Sequence, residues 1–189
     1  MISLALAFPC LDVGFSIAEN DAKERKALES FVRNGFEPEI PGIQADGKVL
    51  IDNVIKRFGE PVVTRNKTVD DGEEVTLEYA GLTIQLWRNG QFPTKMYWSS
   101  TIKLTSPQYR LKYGLGIGQP KAAFLEVLGP PNDPEAPEYY RYKDQYKDKR
   151  QPLGYEVGGD ESQHFVVFIY FDDNNVATRI IWSPPGTVD

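Results

Sequence analysis

Cysteine and histidine each occur once in these 189 residues, as Cys10 and His164. A lone cysteine forms no disulfide within the chain, and a lone histidine excludes a multi-histidine metal centre. No second cysteine or histidine stands at zinc-ligand spacing. No apolar run approaches the length of about 18 residues that a membrane-spanning helix needs. Positive charge is in deficit, with 21 Lys and Arg against 27 Asp and Glu and a net charge of −6. That balance argues against a general nucleic-acid binder, which needs a basic footprint. Gly114-Leu-Gly116-Ile-Gly118 lacks the spacing and the Gly-Lys-Ser/Thr ending of a phosphate loop, and reads as a helix entry turn. The carboxylate pairs Asp70-Asp71 with Glu73-Glu74, and Asp172-Asp173, fall at turns without the spacing of a calcium-binding EF-hand. His164 stands at the head of a core strand pattern, where a structural role is favoured. No catalytic constellation, cofactor or metal is expected, and the chain reads as non-enzymatic. Chemistry by two buried carboxylates stays a third reading, because spacing in space is not visible in a sequence.

Aromatic residues are plentiful, with 10 Tyr, 10 Phe and 3 Trp. An apolar fraction of 41% and a charged fraction of 25% fit a globular chain. At this length it forms one domain or two small fused ones, able to bury roughly 70% of its unfolded surface.

The stretch Gly116–Pro131 organises the rest. Pro120 suits the first helical position, Phe124, Leu125 and Leu128 define a face, and Gly129-Pro130-Pro131 forbids continuation. Val49 to Phe58 follows the same grammar, with an apolar face of Leu50, Val54, Ile55 and Phe58. Phe58-Gly59-Glu60-Pro61 precedes its counterpart Leu128-Gly129-Pro130-Pro131 by 70 positions. Alternating strand patterns follow each helix, and each set closes on Ser-Pro (Ser106-Pro107, Ser183-Pro184). The fold expected is α+β, a tandem duplication of a helix plus antiparallel sheet unit, with the helices packed on one face of the sheet.

In chain order, residues 1–18 are either a secretory signal, with small residues before Glu19, or an N-terminal strand or buried segment. Residues 19–46 give a helix from Glu19 to Asn34, capped by Asn20 or Asp21 with Leu28, Phe31 and Val32 inward, and then a connection. Residues 47–107 are the first helix-sheet repeat, with strands at 62–65, 74–79, 82–87 and 95–105. In the last of these, Trp98, Ile102 and Leu104 share one side and Tyr97, Ser99, Thr101 and Lys103 the other. Asn89-Gly90 is its strongest turn signal. Residues 108–189 are the second repeat. It opens on a short extended Tyr109–Gly114, carries a strand at Glu138–Lys143 and an irregular Gln151–Gln163, and ends in the hairpin of His164–Phe171 and Val176–Trp182.

The aromatics carry the functional signal. Trp87, Tyr97, Trp98, Tyr139, Arg141, Tyr142, Tyr146 and Tyr170 are the candidate partner-binding residues. An open sheet face bearing Tyr, Trp and Arg has the composition of a protein-binding surface.

Gly116-Ile-Gly118, the Leu128–Pro131 stop, the Phe165–Phe171 strand with its Asp-Asn-Asn turn, and Phe58–Pro61 together resemble the β-lactamase inhibitor protein-like fold. They are also similar to small outer-membrane assembly lipoproteins that carry one such unit. The resemblance covers about residues 47–184. The disulfides of the secreted inhibitor and a good lipobox are absent from this chain. The resemblance implies a non-enzymatic binder whose concave sheet holds another protein, usually in the bacterial envelope. The expected function is an inhibitor or immunity-type module neutralising a secreted toxin or enzyme, the acidic balance suiting a basic partner. The alternative is an envelope assembly accessory protein. Location is periplasmic or secreted, or cytoplasmic if residues 1–18 are not a signal peptide.

Overall fold

The computed structural model describes residues 13–36, 48–69, 72–89, 96–132, 152–158 and 165–183. Among these residues, three α-helices and eight strands follow in the order α1 (Val13–Asn34), β1 (Lys48–Leu50), α2 (Ile51–Phe58), β2 (Val63–Val69), β3 (Gly72–Tyr79), β4 (Leu82–Asn89), β5 (Met96–Leu104), α3 (Lys121–Leu128), β6 (Leu153–Val157), β7 (Phe165–Phe171) and β8 (Ala177–Ser183). The sheet runs β2-β3-β4-β5-β8-β7-β6, every neighbour antiparallel, and β1 pairs separately with the start of β5. The class is α+β, as expected.

Alternation decides which side of each strand is buried. Val75 and Leu77 on β3, and Leu82, Ile84 and Leu86 on β4, point to one face. Ile102 and Leu104 on β5, Ile180 and Trp182 on β8, and Val167 and Ile169 on β7 continue it. Phe31 and Val32 of α1, Val54 of α2, and Phe124 and Leu128 of α3 join the same apolar cluster, so all three helices cover this one face.

α1 begins six residues before Glu19, so Asn20 and Asp21 lie inside the helix and do not cap it. Phe31 and Val32 are buried as expected, with Leu28 packed against them. In α3, Phe124 and Leu128 are one turn apart and point inward, while Leu125 is rotated outward and 36% exposed. Pro120 is the extended cap residue (φ −69°, ψ 150°), and the first helical position belongs to Lys121. In α2 the cap residue Leu50 is likewise extended and 40% exposed, so Ile51 replaces it on the packed face. Both short helices end on a glycine at positive φ, Gly59 at 81° and Gly129 at 73°. Each glycine N–H donates to a carbonyl four residues back, Ile55 at 2.8 Å and Leu125 at 3.0 Å.

Three local expectations need correction. β6 occupies Leu153–Val157, inside a stretch expected to be irregular. Tyr109 and Leu111 are buried, and Lys112–Gly114 closes a 3-10 turn where an extended segment was expected. β5 is also not uniformly alternating. Gln85 pairs with Thr101 but Leu86 pairs with Ser99, leaving Ser100 as an extra residue in a bulge. A bulge shifts the two-residue period by one, so the inward residue is odd-numbered before Ser100, at Tyr97, and even-numbered after it, at Ile102 and Leu104. β8 carries a bulge against β7 as well, with Thr178 the extra residue between Ala177 and Arg179.

Candidate functional site

Among the described residues, the side of the sheet opposite the three helices is where an aromatic protein-binding face was expected. On β2 to β5 it carries Arg65, Lys67, Glu74, Thr76, Glu78, Thr83, Gln85, Trp87, Thr101 and Lys103, placed there by alternation with the buried set. Arg65 pairs with Glu78 at 3.1 Å across the β2–β3 ladder. Both are partly solvated, so the pair sets local charge order more than stability. On β6 to β8 the same side changes character. Val166, Phe168 and Ile181 form a second buried apolar cluster with Tyr170 packed against it. The Arg179 guanidinium lies 3.8 Å from the Tyr170 ring centroid, a close cation–π stack.

The eight candidate residues separate on this scaffold. Trp87 is half-buried on the side of the sheet opposite the three described helices, pointing away from the buried Leu86. Trp98 is Trp87's direct partner in the ladder, described for its backbone only. Tyr170 is on the same side as Trp87 but at the other end of the strands. Through the β4–β5–β8–β7 register it stands about six residues along, roughly 20 Å at the strand rise. Tyr139, Arg141, Tyr142 and Tyr146 lie outside the described residues, as do Asp70-Asp71 and His164.

Tyr97 does not belong to this face. The Ser100 bulge turns it to the helix side, where it is 7% exposed. Its hydroxyl donates to Glu73 Oε2 at 3.3 Å, and Arg88 Nη2 donates to the same oxygen at 2.7 Å. The Arg88 guanidinium also lies 5.4 Å from the Tyr97 ring centroid. Burial, then the Glu73 carboxylate, raise the Tyr97 phenol above its ordinary range, with Arg88 opposing. Glu73 and Glu74 thus point to opposite sides of β3, and they do not act as a pair.

Asp172 is explained by its own turn. Its Oδ1 accepts from the backbone N–H of Asn174 and of Val176, both at 2.9 Å, and Asn175 takes a left-handed φ of 58°. Among the described residues, no group of three or more His, Cys, Asp or Glu is gathered to hold a metal ion. Among the described residues, no helix is long and apolar enough to cross a membrane.

A residue without any functional signal in the sequence holds one edge of the sheet. The Asn132 carboxamide donates to the Glu156 carbonyl and accepts from the Glu156 N–H, both at 2.8 Å. It therefore bonds the outer side of β6 as a neighbouring strand would.

No protein-family model matches this sequence, and no curated protein matches it. Among solved structures, a DUF4309 family protein (YjgB) from Bacillus subtilis is similar with a TM-score of 0.44 at 12% identity, over 86% of this chain and 96% of that one.

Proposed function

We propose that this protein is a non-enzymatic protein-binding module, an inhibitor or immunity-type protein that neutralises a secreted toxin or enzyme. The observation that carries this reading is the one-sided helix layer, which leaves the other side of β2–β5 with Trp87 in register with Trp98. Large rigid aromatics flanked by polar side chains are the usual source of binding energy at a protein interface. Glu74 lies opposite Trp87 in the β3–β4 ladder and offers a carboxylate to a cationic group of a partner.

A tandem duplication is part of the proposal. It is supported by two eight-residue helices whose caps, Leu50 with Gly59 and Pro120 with Gly129, are 70 positions apart. β1 pairs with the start of β5, as Pro120 bridges to Val176 just before β8. The sheet is symmetric about its centre, β3-β4-β5 facing β8-β7-β6, with β2 the added edge. Periplasmic or secreted placement completes the reading.

Affinity capture from native cells, with intact-mass measurement of the bait, tests it. A stoichiometric soluble partner that Trp87→Ala no longer retains is the expected result. Equal retention by that variant removes the sheet face from the interface. A membrane-complex partner would favour the envelope-assembly alternative. A bait mass beginning at Glu19 fits export, and one retaining residue 1 fits the cytoplasm.

A further inference from the structure

On α1, in the helix layer that covers the opposite side of the sheet, lies a groove of different chemistry. Lys23, Lys26, Ser30 and Arg33 recur at helical spacing along one side of α1. With Ala27, Glu29 and Asn34 they line a groove of about 520 Å³, and Tyr113 closes its other side. Three cations face one carboxylate there. Glu29 is already paired with Arg33 at 3.2 Å, so the uncompensated charge sits on the exposed Lys23 and Lys26. This local sign opposes the net charge of −6 carried by the chain.

Tyr113 adds an independent observation. It holds a left-handed backbone (φ 61°, ψ 16°), which residues with side chains seldom adopt outside places where the surroundings enforce it. Here they do. Lys112 N–H donates to the Gly35 carbonyl at 2.9 Å, and Leu111 N–H to the Leu115 carbonyl at 2.8 Å. Gln119 Nε2 donates to the Gly114 carbonyl at 3.0 Å. The strained residue is not spent on the core, since it remains 48% exposed. The Lys112 ammonium stands 6.0 Å from its ring centroid.

We propose that this groove binds an extended acidic segment of a partner polypeptide. Its carboxylates meet Lys23 and Lys26, and an apolar or aromatic side chain lies against Tyr113. Lys23 to Asn34 spans about 16 Å of helix at the helical rise, the reach of roughly five extended residues. A small anion would occupy a fraction of that length. Ser30 and Asn34 supply hydrogen-bonding groups between the charged end and the aromatic end. This site is additional to the sheet face and does not depend on that face being an interface.

Fluorescence anisotropy on the full chain at low salt tests this, with a labelled peptide Asp-Asp-Ser-Gly-Phe and its Lys-Lys-Ser-Gly-Phe counterpart. The acidic probe is expected to bind and the basic one not. Exchanging both Lys23→Glu and Lys26→Glu should weaken binding by about tenfold or more. Tyr113→Gly should weaken it by a similar factor while the melting temperature holds or rises, because glycine accepts that backbone freely. In a labelled sample the probe should shift the amide signals of residues 23–34 and 111–115. The proposal is overturned by no binding of the acidic probe or by equal binding in the charge-reversed protein. It is equally overturned by unchanged binding in Tyr113→Gly, or by an oligothymidylate of the same charge binding as tightly. If the charge-reversed protein fails to fold by circular dichroism, the Tyr113→Gly comparison decides.

Discussion

The indole Nε1 of Trp182 donates a hydrogen bond to the backbone carbonyl of Val32, 150 residues earlier in the chain. Val32 lies in the last turn of α1, where carbonyls lack helical partners. The last strand therefore caps the first helix, and both residues are fully buried. The Trp182 ring also packs against Phe36 and Phe165, with centroids 5.6 and 5.9 Å away. Trp182→Phe keeps an aromatic ring and leaves that carbonyl unsatisfied. A loss of about 1–3 kcal/mol in urea unfolding is expected, and an unchanged midpoint would show that the carbonyl finds another donor.

Glycine substitutions should rank by geometry. A Cβ on Gly59 meets nothing within 4 Å, so Gly59→Ala costs only the strain of its positive-φ extended backbone (φ 81°, ψ −169°), about 1–3 kcal/mol. At Gly81 a Cβ would stand 2.2 Å from Ser106 Cβ with φ already at 75°. Gly81→Ala should lower the melting temperature more than Gly59→Ala does, and the reverse order would contradict the packing of the β3–β4 turn on Ser106.

Tyr155 gives stability a pH dependence. Its hydroxyl donates to the Gly129 carbonyl at 3.0 Å, and burial pushes the phenol far above its ordinary value of 10.0. Above that value the unfolded chain releases a proton which the folded chain retains. Stability is therefore whole below pH 10 and falls as pH rises past it, by about 1.4 kcal/mol per pH unit for one such group. Tyr155→Phe should be less stable at neutral pH by about 1 kcal/mol, and should lose part of this alkaline slope. Unfolding measured from pH 8 to 11 checks both.

Trp87 and Tyr97 should part company. Trp87→Ala is expected to weaken partner capture with little change in melting temperature. Tyr97→Ala removes a buried ring and the hydroxyl that meets Glu73, and should cost about 3 kcal/mol of stability. Matching losses of stability in the two variants would contradict the placement of Trp87 on the side of the sheet opposite α1, α2 and α3.

The ends of α2 and α3 were legible because glycine and proline act through local sterics, which a sequence displays directly. The buried Leu82, Ile84 and Leu86 of β4 were legible for the same reason, since alternation is a local property. Tyr97 was not, because a one-residue bulge at Ser100 leaves no mark on composition yet reverses every side chain beyond it. β6 was missed under the glycine and proline signals of its surroundings, although Leu153, Tyr155 and Val157 alternate clearly enough to have announced it. Asn132 carried no signal, because its role is fixed by Glu156 across 24 residues. The order of the strands, and hence the distance between Trp87 and Tyr170, is a long-range property no local pattern encodes.

The central seam of the sheet has a consequence for synthesis. β5 joins β8 through Ile102, Lys103 and Leu104 paired with Trp182, Ile181 and Ile180. The β2–β5 meander closes through neighbouring strands as soon as Leu104 is free of the ribosome, but its partner strand ends at Ser183. Another 78 residues separate Leu104 from Trp182, roughly 4–16 s of elongation at about 5–20 residues per second. For that interval a half-built sheet shows an open edge lined by Ile102 and Leu104, and α1 has no Trp182 to close against. The nascent chain is most exposed to mispairing, and most in need of a chaperone, late in its translation.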